Sequence, residues 1–296
     1  MTRLASLALT VLMITMPRLA PAQRAIPEDN LAYPVLLTIG ATTGSGFYLN
    51  TPDAVYLVTA KHVLFDPATH RLIDSHLTLL SYSKDLTDAT HNVFVADLST
   101  LQSNGDIKPH PSEDVAVVKL FKVKPSDDKD KSLLTFEPGV TATELSKQGV
   151  LGAKSDIVKL FADVITGNDV MVFGYPVSLG LQQLPELDVH RPLLRKGILA
   201  GTNPDKRAII IDCPSYFGNS GGPVVELDRE AFQTKMYIIG VVVQYVPFVQ
   251  TGGGQTFVMQ LASNSGYSIV VPMDFVMELI RTTAFESDSL LIKRYP

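Results

Sequence analysis

Apolar and β-branched residues recur in short runs along residues 33–120 and again along residues 169–271. Clusters of Gly, Pro, Asn and Asp separate most of these runs, a pattern typical of β-strands joined by turns. The first set of predicted strands comprises residues 33–39, 46–49, 54–59, 76–80, 92–98 and 115–120. The second set comprises residues 169–174, 193–199, 207–213, 223–226, 237–245, 256–261 and 267–271. Strands at this spacing predict an all-β sandwich or barrel, and the pattern alone leaves both open.

The two sets of strands are joined by residues 122–168, a connection that is long for a compact protein. It begins near the charge run 124–131, in which Lys alternates with Asp, and we interpret this run as a solvated loop. Residues 143–165 have mixed apolar spacing, which is compatible with one or two short helices.

Residues 272–296 predict a closing helix and a short tail. Pro272 suits the first turn of a helix, and Asp274 suits the positive end of the helix dipole. The apolar residues at helical spacing are Phe275, Val276, Leu279 and Ile280. The sequence thus divides into residues 1–22, a first β unit at 23–121, the connection 122–168, a second β unit at 169–271 and the helical end at 272–296.

Residues 1–22 have the three-part layout of a secretory signal peptide. Arg3 supplies a positive start, residues 4–16 form an almost unbroken apolar run, and Ala20-Pro21-Ala22 offers small residues at a cleavage site. The run is short for a membrane span, so a retained anchor is the weaker interpretation. We expect a periplasmic or secreted protein with no stable membrane span after cleavage.

Charge and cysteine content narrow the function classes further. The net charge is −5, and removal of Arg3 and Arg18 with residues 1–22 would change it to −7. An acidic chain without a basic stripe is not expected to bind nucleic acid. Cys213 is the single cysteine, so no internal disulfide can form, and we expect it to be a buried apolar residue. No ligand pattern for a metal or other cofactor is visible, and none is predicted.

Three motifs carry candidate chemistry. They read Thr-Ala-Lys-His-Val at 59–63, Asp-Val-Ala-Val-Val-Lys-Leu at 114–120 and Gly-Asn-Ser-Gly-Gly-Pro-Val at 218–224. A serine hydroxyl is a weak nucleophile at neutral pH and needs a base within hydrogen-bond reach. In this order the motifs resemble the His, Asp and Ser blocks of trypsin-like (chymotrypsin-fold) serine peptidases. Gly-Ser-Gly-Phe at 44–47 resembles the hairpin before the His block in bacterial HtrA-like members, and with only a short segment after the predicted helix we expect no PDZ module.

The resemblance implies two six-stranded antiparallel β-barrels with the active site in the cleft between them and a C-terminal helix. It also implies that Ser220 attacks a peptide carbonyl while His62 takes its proton and Asp114 orients His62, giving an acyl-enzyme intermediate. The predicted oxyanion hole is formed by the segment Gly218, Asn219 and Ser220. Asn219 replaces the aspartate of the digestive enzymes, so activation by a new N-terminal ammonium group is not expected.

The resemblance also places a substrate pocket. The expected lining residues are Pro214, Val243, Gln244, Tyr245, Gly266 and Ser268. No acidic residue lies at the expected base, so a preference for Lys or Arg is not supported, and a small or apolar residue is favoured.

The expected function is therefore an exported serine endopeptidase acting on polypeptides. Two alternatives stay open: a regulated protease, whose state depends on Tyr216 and Phe217 before Gly218, and a non-catalytic peptide-binding protein on the same fold. The sequence does not define the oligomeric state or an activator.

Overall fold

The computed structural model describes residues 28–83, 85, 88–124, 133–147, 149–177, 183–229, 233–254 and 257–292. The predicted signal peptide at 1–22 and most of the charge run at 124–131 lie outside these residues. Over the described part, β-strands are the main element of the chain, which confirms the all-β class predicted from the short apolar runs.

A first, curled sheet occupies the N-terminal half. Its strands are β1 Pro34–Ile39, β2 Thr42–Asn50, β3 Ala54–Thr59, β4 His76–Tyr82, β5 His91–Asp97, β6 Ile107–Pro109, β7 Ala116–Lys124, β8 Leu133–Phe136, β9 Val140–Glu144 and β10 Ala153–Lys154. The described strands run in the order β6-β7-β3-β2-β1-β4-β5-β9, with β8 beside β7 and β10 beside β2. The sheet therefore has ten described strands where six were expected. Three of the four additional strands, β8, β9 and β10, come from the connection 122–168, and the fourth is the short strand β6 beside β7.

A second sheet closes into the predicted six-stranded antiparallel barrel. Its strands are β11 Asp169–Gly174, β12 Leu193–Asn203, β13 Ala208–Asp212, β14 Pro223–Arg229, β15 Thr234–Gly254 and β16 Phe257–Pro272, in the spatial order β11-β12-β13-β16-β15-β14. The sequence predicted separate strands at 256–261 and 267–271, which is wrong: both belong to β16. Its partner β15 is also longer than predicted, and cross-strand pairing carries both strands through the Gly and Asn residues that suggested turns.

Helices are few and short, apart from the last one. The described α-helices are α1 Lys61–Leu64, α2 Leu98–Ser103 and α3 Met273–Ile292. The connection contains two 3₁₀ turns, at Ser155–Ile157 and Phe161–Asp163, in agreement with the short helices predicted there. In α3, the predicted apolar residues Phe275, Val276, Leu279 and Ile280 are all buried.

The hydrophobic core joins the two sheets. The larger cluster combines Leu37 and Phe47 of the first sheet with Phe173 and Val241 of the barrel and with Met273 of α3. A smaller cluster fills the barrel and includes Cys213, as predicted for a buried apolar residue. Burial raises the pKa of the Cys213 thiol to about 11, so this thiol stays protonated at neutral pH.

Candidate active site

Strand pairing brings His62 and Asp114 together. The end of β3 pairs with the start of β7, with Thr59 opposite Ala116. His62 lies just after β3, in the single turn of α1, and Asp114 lies just before β7. The two side chains are separated by 52 positions in sequence, yet this register makes them neighbours.

The contact between these two residues is double. His62 Nδ1 lies 2.6 Å from Asp114 Oδ2, and the backbone N–H of His62 donates to Asp114 Oδ1 at 2.9 Å. Burial disfavours the charged carboxylate, but the hydrogen bonds from His62 and the charges of His62 and Lys61 outweigh it and lower the pKa of Asp114. The His62 side chain remains about one third exposed, so its other ring nitrogen can reach a bound molecule.

Ser220 lies in the tight segment between β13 and β14. The N–H of Asn219 donates to the carbonyl of Tyr216 at 3.0 Å, and Gly218 has a φ of +92°. A positive φ at the third position is the signature of a type II turn. The carbonyl of Phe217 in this turn accepts from the N–H of Val177 at 2.8 Å, so this peptide is held in one orientation.

The turn leaves two backbone donors without an internal partner. Among the hydrogen bonds of the described residues, none is donated by the N–H of Gly218 or of Ser220, and none involves the Ser220 hydroxyl. The N–H of Asn219 is used within the turn, and its side chain is buried. Only Gly218 and Ser220 of the predicted oxyanion segment therefore present free backbone donors.

Ser45 of β2 ties this turn to the first sheet. It is fully buried, its N–H donates to the carbonyl of Ser220 at 2.8 Å, and its Oγ donates to the carbonyl of Gly218 at 2.6 Å. The same Oγ accepts from the N–H of Tyr175 at 2.9 Å, and the Ser45 carbonyl accepts from Thr59 Oγ1 at 2.7 Å. The motif at 44–47 was visible in the sequence, but the partners of Ser45 were not, because they come from distant strands.

The close backbone approach around Ser220 explains the glycines of its motif. A Cβ on Gly218 would lie 2.3 Å from the carbonyl oxygen of Tyr175, and a Cβ on Gly221 would lie 1.9 Å from that of Ser45. Gly221 also has a positive φ, of +90°. Any other residue at these two positions would force the segment away from its neighbours.

A cavity of about 570 Å³ opens beside His62 and Asp114. The residues that line it are Lys61, His62, Phe65, Asp66, Pro67, His70, Pro109, His110, Pro111, Asp114, Val243 and Gln244. Two of the six predicted pocket residues, Val243 and Gln244, are among them. Its apolar lining residues are Phe65, Pro67, Pro109, Pro111 and Val243, and this part of the wall could accept a compact apolar group.

The other four predicted pocket residues lie outside this cavity. Ser268 is fully buried, and its hydroxyl bonds to the Cys213 carbonyl and to Ser215 Oγ, both at 2.8 Å. Pro214 and Gly266 are half-buried, and the ring of Tyr245 packs edge-on against that of Phe217, at 6.2 Å between centroids. Phe217 is 73% exposed and Tyr216 is 43% exposed, so both rings extend the surface around Ser220.

His110, which sequence reasoning did not single out for the site, shapes the loop that leads to Asp114. It is buried, its Nδ1 accepts from the N–H of Glu113 at 3.0 Å, and its ring packs against Phe275 of α3 at 5.0 Å. Its carbonyl accepts from Lys61 Nζ at 2.9 Å. No motif marked His110, because its contacts depend on the distant helix.

Within the described part of the chain, no three His, Cys, Asp or Glu residues are grouped closely enough to hold a metal ion. No helix of that part is long and apolar enough to cross a membrane.

Comparison with known proteins adds a family match. A family model described as "Trypsin-like peptidase domain" matches residues 44–232. No curated protein sequence matches the chain.

The chain is distantly similar to several solved structures. The crystal structure of Deg5 shares 18% identity at a TM-score of 0.47, over 85% of this chain and 88% of that chain. The structure of the HtrA-type protease AlgW with a tripeptide shares 14% identity at a TM-score of 0.48, over 88% of this chain and 63% of that chain. The thermostable serine protease AL20, from an extremophilic microorganism, shares 11% identity at a TM-score of 0.45, over 86% of this chain and 96% of that chain.

Proposed function

The chain belongs to the trypsin-like peptidase family and is a serine endopeptidase, and we propose that Ser220, His62 and Asp114 form its catalytic triad. Ser220 Oγ bonds to the carbonyl carbon of the scissile peptide while its proton passes to His62. Collapse of the tetrahedral intermediate breaks the C–N bond, and His62 returns the proton to the leaving amine. Water then attacks the acyl-enzyme ester by the reverse proton path, releasing the second product and Ser220.

The observation that carries this proposal is the double hydrogen bond between Asp114 and His62. With Oδ2 at 2.6 Å from Nδ1, the carboxylate favours the tautomer that carries its proton on Nδ1. The other ring nitrogen is then free to accept a proton from a serine. The lowered pKa of Asp114 keeps the carboxylate ionised when His62 becomes positively charged.

The turn at 216–219 supports a formed oxyanion hole. The N–H groups of Gly218 and Ser220 have no partner within the described chain, and the carbonyl of Phe217 is directed to Val177. Two fixed donors at a developing negative charge need no reorganisation during the reaction, which makes such sites effective. We assign the donor role to Gly218 and Ser220 and not to Asn219, because the N–H of Asn219 closes the turn.

Labelling with a fluorophosphonate probe tests the triad. The parent protein should form a covalent adduct at Ser220, identified by mass spectrometry of the modified peptide. Ser220→Ala should not react, and Asp114→Asn should react about 10⁴-fold more slowly because the His62 tautomer is no longer fixed. An unlabelled parent protein with a native circular dichroism spectrum would exclude a constitutive triad.

A regulated enzyme is the second candidate, favoured by one observation. Within the described residues, the Ser220 hydroxyl makes no hydrogen bond to His62, so a regulated site would be one in which a bound activator brings these two side chains together. Labelling rates with and without an unfolded protein, such as reduced carboxymethylated lactalbumin, distinguish the two cases. A constitutive site gives the same rate in both, apart from competition, whereas a regulated site is accelerated. A non-catalytic binding protein would bind the unfolded chain without being labelled.

We also propose that the protein is exported to the periplasm or beyond. The pattern of residues 1–22 supports this proposal, with cleavage after Ala22. Expression of the full chain in a bacterial host, followed by N-terminal sequencing of the periplasmic and medium fractions, should give a chain that begins at Gln23. Recovery of the uncleaved chain in the cytoplasm would contradict the proposal.

A further inference from the structure

The hairpin of β15 and β16 extends well beyond the barrel. The inner part of β15 pairs with β14 only as far as Val241, whereas its pairing with β16 continues to Gly254 opposite Phe257. We call residues 246–254 and 257–265 the arm. The side chains of the arm at 247–252 and 259–263 are exposed, so neither face of this ribbon packs on the described body of the protein.

One face of the arm carries three large, exposed apolar side chains. Residues directly opposite in an antiparallel pair lie on the same face, so Phe248, Leu261 and Met259 share a face, through the pairs Phe248–Ser263, Gln250–Leu261 and Gly252–Met259. These three side chains are 53%, 58% and 59% exposed. Adjacent exposed apolar side chains of this size are typical of a binding surface rather than of free surface.

The arm also lacks charge. No Asp, Glu, Lys or Arg occurs in the 38 residues from 236 to 273, where the chain average of 19% would give about seven. Exposed strand edges are usually protected by charged side chains, especially lysine. An uncharged arm therefore fits a partner segment that is itself uncharged and apolar.

The free edge of the arm is continuous with the candidate active site. After Val241, β15 no longer pairs with β14, and its edge on that side has no described partner strand. Val243 and Gln244 lie at the beginning of this stretch and line the cavity beside His62. From there to Gly254, no described strand pairs with the edge of β15 that faces away from β16. An open edge of this kind accepts an extended peptide as an additional strand. At about 3.4 Å per residue, its twelve residues would span about 40 Å.

The chain direction decides which part of a substrate would lie there. Strand β15 runs outward from the cavity, so a peptide that pairs antiparallel runs inward, from the tip of the arm toward Ser220. Antiparallel pairing is the more stable and more common arrangement. The segment along the arm then precedes the scissile bond.

We infer that the arm binds an uncharged, apolar segment of the polypeptide substrate, N-terminal to the scissile bond, as an added antiparallel strand. The inference rests on the proposed function, because it takes the cleft beside His62 as the place of cleavage. It extends that function by giving the enzyme a preference for long, unfolded apolar substrates over short peptides.

The test measures binding to the Ser220→Ala protein, so that turnover does not interfere. The probes are fluorescein-labelled peptides with an alanine-rich core of eight residues, extended by six alternating Leu and Thr residues at either the N-terminus or the C-terminus. Fluorescence anisotropy should show that the N-terminal extension tightens binding about tenfold, while the C-terminal extension has little effect. N-methylation of alternate residues in the extension should remove the gain, because it removes donors to the strand edge.

The variant Phe248→Ser/Leu261→Ser should lose the gain, whereas Leu145→Ser, at an equally exposed site near β9, should retain it. Equal binding by the arm variant and the parent, or an equal gain from the C-terminal extension, overturns the inference. So does light scattering that shows a dimer which dissociates in the arm variant, because a second copy then occupies the arm. Cleavage of the unextended core by the unmodified protein is measured separately, so failure of the triad and failure of the arm give different results.

Discussion

At the scale of single residues, Ser45 shows how a short side chain can hold the nucleophile segment in place. Its hydroxyl donates to the Gly218 carbonyl and accepts from the N–H of Tyr175, in a fully buried position. Both partners lie in loops of the barrel, whereas Ser45 belongs to the first sheet. The position of the turn at Ser220 therefore depends on the contact between the two halves.

Replacement of Ser45 by alanine should weaken both the fold and the reaction. It leaves a buried carbonyl and a buried N–H without partners, which costs about 1–3 kcal/mol in the free energy of unfolding. The fluorophosphonate labelling rate should also fall, because the Gly218 carbonyl is no longer held. Urea denaturation and labelling kinetics measure the two effects.

Ser146→Ala is the matched control for this prediction. Ser146 is also buried, and its Oγ donates to a backbone carbonyl, that of Gly149, far along the chain from Ser220. It should lower stability without changing the labelling rate. Equal labelling rates in Ser45→Ala and Ser146→Ala would show that Ser45 has a structural role only.

The backbone geometry at Gly218 bears directly on the proposed oxyanion hole. A Cβ there would lie 2.3 Å from the Tyr175 carbonyl oxygen, and the φ of +92° is itself unfavourable for alanine. Gly218→Ala should therefore displace the N–H that we assign to the oxyanion hole. The expected loss is about 10²–10³ in kcat, measured with a fluorogenic peptide.

Gly201→Ala provides the comparison for Gly218→Ala, because nothing lies within 4 Å of a Cβ at Gly201. It should leave kcat unchanged. A Gly218→Ala enzyme that keeps full activity would exclude the N–H of Gly218 as an oxyanion donor.

At the scale of elements, the closing helix α3 supports the loop that carries Asp114. Phe275 is 6% exposed, its ring packs against that of His110, and the guanidinium carbon of Arg207 lies 4.4 Å from its ring centroid. Phe275→Ala should lower the free energy of unfolding by about 3–5 kcal/mol, since it leaves a cavity beside His110.

Urea denaturation measures this loss for Phe275→Ala, and Phe275→Leu, which fills most of the volume, should be clearly less destabilising. An alanine variant as stable as the parent would mean that α3 does not contribute to the stability of this region. The labelling rate of the folded variant then reports whether the helix also positions Asp114.

The elements differ in how well the sequence predicts them. The apolar face of α3 has helical periodicity, the strands that flank His62 and Asp114 are largely apolar runs, and the structure has all of them at the predicted places. The hairpin of β15 and β16 was predicted as fragments, because Pro247, Gly252 and Gly266 resemble local breaks in a strand. Pairing between β15 and β16 overrides these local preferences, and such pairing cannot be read from one strand alone.

At the scale of the whole molecule, the core is shared by both sheets, and the described hydrogen bonds at Ser45 cross between them. The sequence predicted the all-β class and indicated His62, Asp114 and Ser220 as candidate catalytic residues, because these signals are local. It did not predict the wall of the cavity formed by Pro109, His110 and Pro111, nor the additional edge strands of the first sheet. These features depend on contacts between segments that are far apart in the chain.

The distribution of charge across the fold predicts sensitivity to acid. Hydrogen bonding from Lys196 lowers the pKa of Asp169. Burial alone would raise the pKa of Asp114 and of Asp188, but hydrogen bonds from His62 and from Tyr82, respectively, outweigh burial and lower both values. A carboxyl whose pKa is lower in the folded chain than in the unfolded chain adds stability above the unfolded value, near 4. That stability is lost as the pH falls through the folded pKa.

The melting temperature should therefore change little between pH 6 and pH 5 and fall progressively below about pH 4, as measured by differential scanning calorimetry. Asp106 opposes this trend, because burial and Glu137 raise its pKa, but it is one group against several. Asp114→Asn should reduce the dependence on pH, because it removes one carboxyl that titrates differently in the two states. A melting temperature that rises between pH 5 and pH 3 would show that the ionised carboxylates destabilise the fold, so that the hydrogen bonds from His62, Lys196 and Tyr82 do not compensate for their burial.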